Sequence, residues 1–157
     1  MAKMRPEDRP DADSIQAAME ILGERWTFLI LREAFYGVRR FSDFQRNLGI
    51  ARNILSGRLQ TLVASGILER KLYQSDPERY EYRLTDKGFA LYPGVISIMR
   101  WADSWLMDDR PPVELRHKCG AVANPRMVCS CCGEQLLPHD VTPVPGPGSE
   151  ADVDVAA

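Results

Sequence analysis

Two short segments of this 157-residue chain carry its most reactive side chains, His117-Lys118-Cys119-Gly120 and, nine residues later, Cys129-Ser130-Cys131-Cys132-Gly133. Cys-x-x-Cys-Gly is the stronger half: two thiolates at that spacing bind one tetrahedral zinc, and Gly permits the tight turn. His-x-Cys-Gly is the looser half. Together His117, Cys119, Cys129 and Cys132 supply the four ligands that a closed structural site requires, so a structural zinc is the expected cofactor and Cys131 is left over. A thiol redox switch and inert thiols are the competing expectations. A thiol oxidoreductase is not expected, because the motif follows a helical region and lacks the βαβ context those enzymes use.

A second group of residues suits nucleic acid. Leu55, Leu59 and Leu62 share one face of a helix, and an advance of about 100° per residue places Asn53, Ser56, Gly57 and Gln60 on the opposite face. Asn and Gln present the paired donor and acceptor that adenine requires, and Ser serves several base edges. Gly57 costs roughly 1 kcal/mol against Ala inside a helix, a cost that close approach of backbone to DNA would justify. Arg52 stands at the helix start within reach of phosphate. Arg39 and Arg40 precede the helix before it, Lys71 lies on the strand after it, and Arg79 stands beside a turn from which it reaches phosphate or the minor groove. Arg58 lies nearer the buried face, where an ion pair with Glu33 or Asp43 competes with a DNA contact.

The elements that must position these groups follow from periodicity. Ile15, Ala18, Met19 and Leu22 make a first helical stripe capped by Asp13 or Ser14 and ended by Gly23. Trp26, Leu29, Ile30 and Ala34 make a second, closed by Gly37. Ser42-Asp43-Phe44-Gln45 matches a capping box for a two-turn third helix that Gly49 stops. The fourth helix runs from about 51 to 65. The period then falls to two: Ile67 to Tyr73 reads as a strand, Ser75-Asp76-Pro77-Glu78 as a turn, and Tyr80, Tyr82 and Leu84 as the inward side of a returning strand. Thr85 caps a short helix, and Pro93 opens the last one, whose stripe is Val95, Ile96, Met99, Ala102 and Leu106, broadened by Trp101 and Trp105.

This order describes a mainly α fold with a β-hairpin wing, a winged helix-turn-helix, followed by a small zinc-ribbon-like extension. The expected divisions are a disordered N-terminus (1–12), the winged DNA-binding and dimerisation domain (13–108), a zinc knuckle (113–138) and a disordered acidic tail (139–157). A small α+β domain without a nucleic-acid partner is the plainer alternative. The formal net charge of −2 hides a division: from Arg25 to Arg100 there are 13 Lys+Arg against 7 Asp+Glu, a net +6, leaving −8 elsewhere. A basic middle faces an anion, and double-stranded DNA is the expected partner. No apolar run is long enough to span a bilayer, so no membrane partner is expected. The first twelve residues alternate charges without an apolar segment behind them, so no secretory leader is expected and the cytoplasm is the expected compartment.

Gly23-x-x-Trp26, Arg40-Phe41-Ser42-x-Phe44, Leu55-Ser56-x-Arg58-Leu59 and Tyr82-x-Leu84-Thr85-x-x-Gly88 stand in unbroken order between Ile21 and Trp101. In these motifs and their spacing the chain resembles the HxlR-type bacterial transcriptional regulators, relatives of the MarR group. The resemblance implies a homodimer that binds a palindromic operator and represses or activates nearby genes; repression is the expected sense. The stripe from Val95 to Leu106, with the first helix, is the expected dimer seam. Relatives usually have Ser where Ala51 stands, and many carry a redox-active cysteine where this chain has Asp11-Ala12-Asp13, so their redox switch does not transfer. The Cys-rich extension departs from the family core, and a protein-interaction or redox-sensing module built around it is the alternative function. No effector is legible.

Overall fold

The computed structural model describes residues 13–108 and 110–147. The N-terminus expected to be disordered, 1–12, and the end of the expected acidic tail, 148–157, lie outside the described residues. The element order is α1 (Ser14–Leu22), α2 (Arg25–Phe35), α3 (Phe41–Leu48), α4 (Arg52–Ala64), β1 (Leu68–Ser75), β2 (Glu78–Leu84), α5 (Asp86–Phe89) and α6 (Tyr92–Leu106). The described chain divides into two compact units: Ala18–Val113, and the residues before Ala18 together with those from Glu114 onward.

The core of the first unit is built from the apolar stripes. Ile30 and Leu31 of α2, Phe44 of α3 and Leu55, Leu59 and Leu62 of α4 lose all or nearly all contact with water, joined by Ile50, Ile67 and Leu68 at the junctions. Each such side chain contributes roughly 1.5–3 kcal/mol on burial, which makes the three-helix cluster the main source of stability. α1 starts where Asp13 Oδ1 accepts from the Ile15 amide at 2.7 Å, so Asp13 rather than Ser14 is the capping residue.

The capping box expected at Ser42 does not form. α3 begins at Phe41, and its N-cap is Arg40, which makes no side-chain cap bond. The Arg40 carbonyl already accepts from the Asp43 and Phe44 amides, at 3.0 and 3.1 Å, so Ser42 falls inside the first turn. Arg40 is fixed there by an antiparallel bridge to Glu81 and by the Tyr82 amide donating to the Arg39 carbonyl at 2.8 Å. The loop before α3 thus adds a short third edge to the wing.

β1 and β2 pair antiparallel from Leu68↔Leu84 to Ser75↔Glu78, with a bulge between Leu72 and Gln74. The first strand runs two residues past the expected Tyr73, because Gln74 and Ser75 find cross-strand partners in Arg79 and Glu78. The base of the hairpin is closed by Thr85, whose hydroxyl donates to the Gly66 carbonyl at 2.6 Å and accepts from the Gly88 amide at 3.2 Å, capping α5. A Cβ on Gly88 would collide with the Ile67 carbonyl oxygen, so only glycine permits α5 to seat against the hairpin. Pro93 sits in the first turn of α6, as its missing amide hydrogen favours. Val95 and Ile96 turn inward and Phe35 meets Tyr92 edge to face at 5.0 Å, but Ile98, Trp101, Trp105 and Leu106 are 51%, 57%, 74% and 62% exposed.

In the second unit, Arg116 bridges Val122 and Val128 bridges Gln135, forming two small turns. No residue from Glu114 to Pro147 is buried.

Candidate nucleic-acid interface

A helix displays side chains to a ligand only if its other face is held fast. For α4 that face is Leu55, Leu59 and Leu62, and the tight connection from α3 supplies the angle: Gly49 takes the left-handed conformation (φ 61°, ψ 25°), and its amide donates to the Gln45 carbonyl at 3.0 Å. Ala51 is the N-cap of α4 and offers no side-chain bond, so its first-turn amides lack a side-chain cap.

Asn53 and Gln60 stand exposed on the outer face of α4, while Ser56 and Gly57 are half-buried beside them. A Cβ on Gly57 would meet nothing within 4 Å, so the protein's own packing does not demand glycine there. The Gly57 carbonyl accepts the Thr61 hydroxyl at 3.1 Å. Arg52 is exposed, with its guanidinium 5.6 Å from the centre of the Phe41 ring. Arg58 does not pair with Glu33 or Asp43; its guanidinium lies 3.9 Å from Glu24 at the start of α2. Asp43 instead takes Arg46 at 2.9 Å, one turn along α3.

Glu33 is a structural residue that periodicity does not single out. It is 7% exposed, receives Arg32 Nη2 at 2.9 Å on one carboxylate oxygen and the Asn47 amide at 2.9 Å on the other, and so ties α2 to α3. Only its position beside the α2 stripe signals this, since Glu33 stands three residues after the fully buried Ile30 and so on the same helix face.

On the wing, aromatic rings organise the cations. Arg40 lies over Tyr73 at 4.8 Å and Arg70 over Tyr80 at 3.6 Å. The Tyr80 hydroxyl donates to Glu78 at 2.8 Å, and that bond raises its pKa. Glu81 is occupied by Arg83. Lys71 is exposed opposite Glu81, and Arg79 is exposed beside the turn opposite Gln74. Arg39, Lys71 and Arg79 make no ion pair with another described residue. The first unit therefore brings an exposed Asn and Gln, a half-buried Ser and a bare stretch of helix backbone onto α4, and cations without an ion pair among the described residues onto the loop and wing. Dipolar groups of this kind suit base edges, and free cations suit phosphates.

Among the expected metal ligands, His117 Nδ1 lies 3.2 Å from Cys119 Sγ. The backbone amide of Cys132, then that of Cys131, then the Cys132 thiol direct hydrogen bonds at Cys129 and hold its thiol below the usual range. All four cysteines are free thiols. Among the described residues no three His, Cys, Asp or Glu side chains stand close enough together to hold a metal ion, so the four expected ligands do not converge on one point.

Comparison with known proteins bears on the fold and the family. The HxlR-like helix-turn-helix family matches residues 21–110. An uncharacterised HTH-type transcriptional regulator of Mycobacterium tuberculosis is 51% identical over 145 residues, covering 91% of this chain and 92% of that one. The crystal structure of PA1607, a candidate transcription factor, superposes with a TM-score of 0.76 at 34% identity, covering 84% of this chain and 94% of that one. The redox regulator HypR in its reduced form gives a TM-score of 0.56 at 26% identity, covering 62% of this chain and 99% of that one. No helix among the described residues is long and apolar enough to cross a membrane. A tight α3–α4 turn, a wing and the matched family together place this chain among the transcriptional regulators of the HxlR-like helix-turn-helix family, to which it belongs.

Proposed function

We propose that the protein acts as a homodimeric, sequence-specific repressor that reads a palindromic operator. The observation that carries this reading is α4 itself: its inner face is fully buried through three leucines, and its outer face offers Asn53 and Gln60 to the surroundings. Such a helix fits the major groove, where paired amide groups distinguish adenine from the other bases. Ser56 and the Gly57 backbone complete the contact. Arg52 at the start of α4, Arg39 and Arg40 before α3 and Lys71 on β1 suit the phosphate backbone, and Arg79 at the wing turn suits phosphate or the minor groove. Two copies joined through the exposed apolar face of α6 would set two recognition helices about 34 Å apart, one turn of duplex. A cytoplasmic site of action follows from the DNA partner.

Footprinting on the intergenic DNA beside the protein's own gene tests the reading. A protected palindrome is expected, with affinity falling steeply as salt rises. Asn53→Ala and Gln60→Ala should each reduce discrimination at one base step by roughly 1–3 kcal/mol. Arg79→Ala should weaken all sequences alike and lower the salt slope. Equal, sequence-independent losses from all three variants would remove the readout assignment, and a reporter whose expression falls when the protein is deleted would remove the repressor assignment.

A further inference from the structure

The two small turns of the C-terminal unit are copies of one another at the level of individual hydrogen bonds. In the first, the His117 amide donates to the Ala121 carbonyl at 2.9 Å, the Gly120 amide donates to the His117 carbonyl at 2.8 Å, and the Ala123 amide donates to the Leu115 carbonyl at 2.6 Å. In the second, the Cys129 amide donates to the Glu134 carbonyl at 2.8 Å, the Gly133 amide to the Cys129 carbonyl at 2.8 Å, and the Leu136 amide to the Met127 carbonyl at 2.9 Å. The correspondence is residue by residue: His117 matches Cys129, Cys119 matches Cys132, and Gly120 matches Gly133. Both glycines have positive φ, 91° and 77°. The first turn is one residue shorter between its ligating positions, with Lys118 alone standing where the second has Ser130 and Cys131.

From this repeat we propose that the two turns are the halves of one tetrahedral site for a zinc-like divalent cation, with His117 and Cys119 from the first and Cys129 and Cys132 from the second. Three features support it. Each turn offers a nitrogen or sulfur donor before the bend and a thiol immediately before the glycine, the arrangement that lets two ligands chelate one ion. His117 Nδ1 and Cys119 Sγ are 3.2 Å apart, close to the roughly 3.6 Å that tetrahedral Zn–N and Zn–S bonds impose on two ligands of one ion. Finally, the segment from Glu114 to Pro147 buries no residue, so it has no apolar core to fix its turns and needs a cross-link of another kind. Its thiols are free, which leaves them available to a metal. No three of these side chains converge on one point among the described residues, so the proposal requires the two turns to come together as the ion binds, with the three thiols releasing their protons to solvent. A histidine and three sulfurs select zinc over magnesium or calcium, which take oxygen ligands.

The test uses full-length protein purified under reducing conditions without chelator. Elemental analysis should find one zinc per chain, and Co2+ in its place should show the intense visible bands of tetrahedral thiolate coordination. His117→Ala, Cys119→Ser, Cys129→Ser and Cys132→Ser should each lose the metal or the bands, while Cys131→Ser retains both. Operator binding and the helical circular dichroism of the winged unit report whether each variant still folds. Metal-free protein that gives only octahedral Co2+ spectra overturns the proposal. So does metal retention in the His117→Ala and Cys119→Ser variants, loss in Cys131→Ser equal to that in Cys132→Ser, or a native disulfide among these cysteines in unreduced protein.

Discussion

At the scale of single residues, α4 divides cleanly into what its period dictates and what it does not. The burial of Leu55, Leu59 and Leu62 and the exposure of Asn53 and Gln60 follow from a 100° step alone. Ser56 and Gly57, at the edge of the same arc, are half-buried, because a flank position takes its environment from the neighbouring helix and not from its own period. Arg58 shows the same limit: its long side chain reaches Glu24, a partner that no helical spacing connects to it. Gly57 makes the sharpest case for function at this scale. The space where its Cβ would lie is empty, so Gly57→Ala should stabilise the folded protein by about 1 kcal/mol through helix propensity. If the bare backbone approaches DNA, the same change should weaken operator binding by about tenfold, a contact of roughly 1.4 kcal/mol. Thermal unfolding and gel-shift titration of one variant read both. A higher Tm with unchanged affinity would mean that the glycine has no part in recognition.

At the scale of elements, periodicity located every helix and both strands, and the errors lie where chain segments distant in sequence meet. The start of α3 is set by Arg40 pairing with Glu81 across the wing, so the Ser42 box, although locally well formed, loses to a tertiary constraint. The tie between α2 and α3 is of the same kind. Glu33 is nearly buried, and its second carboxylate oxygen depends on Asn47, fourteen residues on. Asn47→Ala should therefore leave that oxygen without its partner at a cost of roughly 1–3 kcal/mol. For a unit of about a hundred residues each kcal/mol lowers Tm by about 4–8 °C. Because the lost bond ties α3 to α2, and both helices pack against α4, operator affinity should fall even at temperatures where the variant is fully folded. Differential scanning calorimetry together with binding at low temperature separates the two effects. A Tm within a degree of the parent protein would show that Glu33 is satisfied by Arg32 alone.

At the scale of the whole molecule, the overall charge of −2 conceals a basic winged region, and the family match to residues 21–110 covers that same region. The proposed dimer seam is less legible. Periodicity draws one continuous stripe along α6, but Val95 and Ile96 are its buried residues and Met99 and Ala102 are half-buried, while Ile98, Trp101, Trp105 and Leu106 are exposed. A sequence stripe does not say whether its apolar residues are covered by their own chain or by another, since both remove the same surface from water. Two tryptophans more than half exposed on one helix are an apolar patch that a second copy would bury, and aromatic side chains concentrate at such centres. The expected consequence is that Trp101→Glu/Trp105→Glu converts the proposed dimer to a 17.7 kDa monomer in light scattering while its helical circular dichroism persists. Each monomer then carries one recognition helix and about half of the phosphate contacts. The slope of log affinity against log salt should drop to about half, and protection of the palindrome should shrink to a single half-site. A variant that remains dimeric and keeps the full salt slope would place the seam elsewhere on the surface.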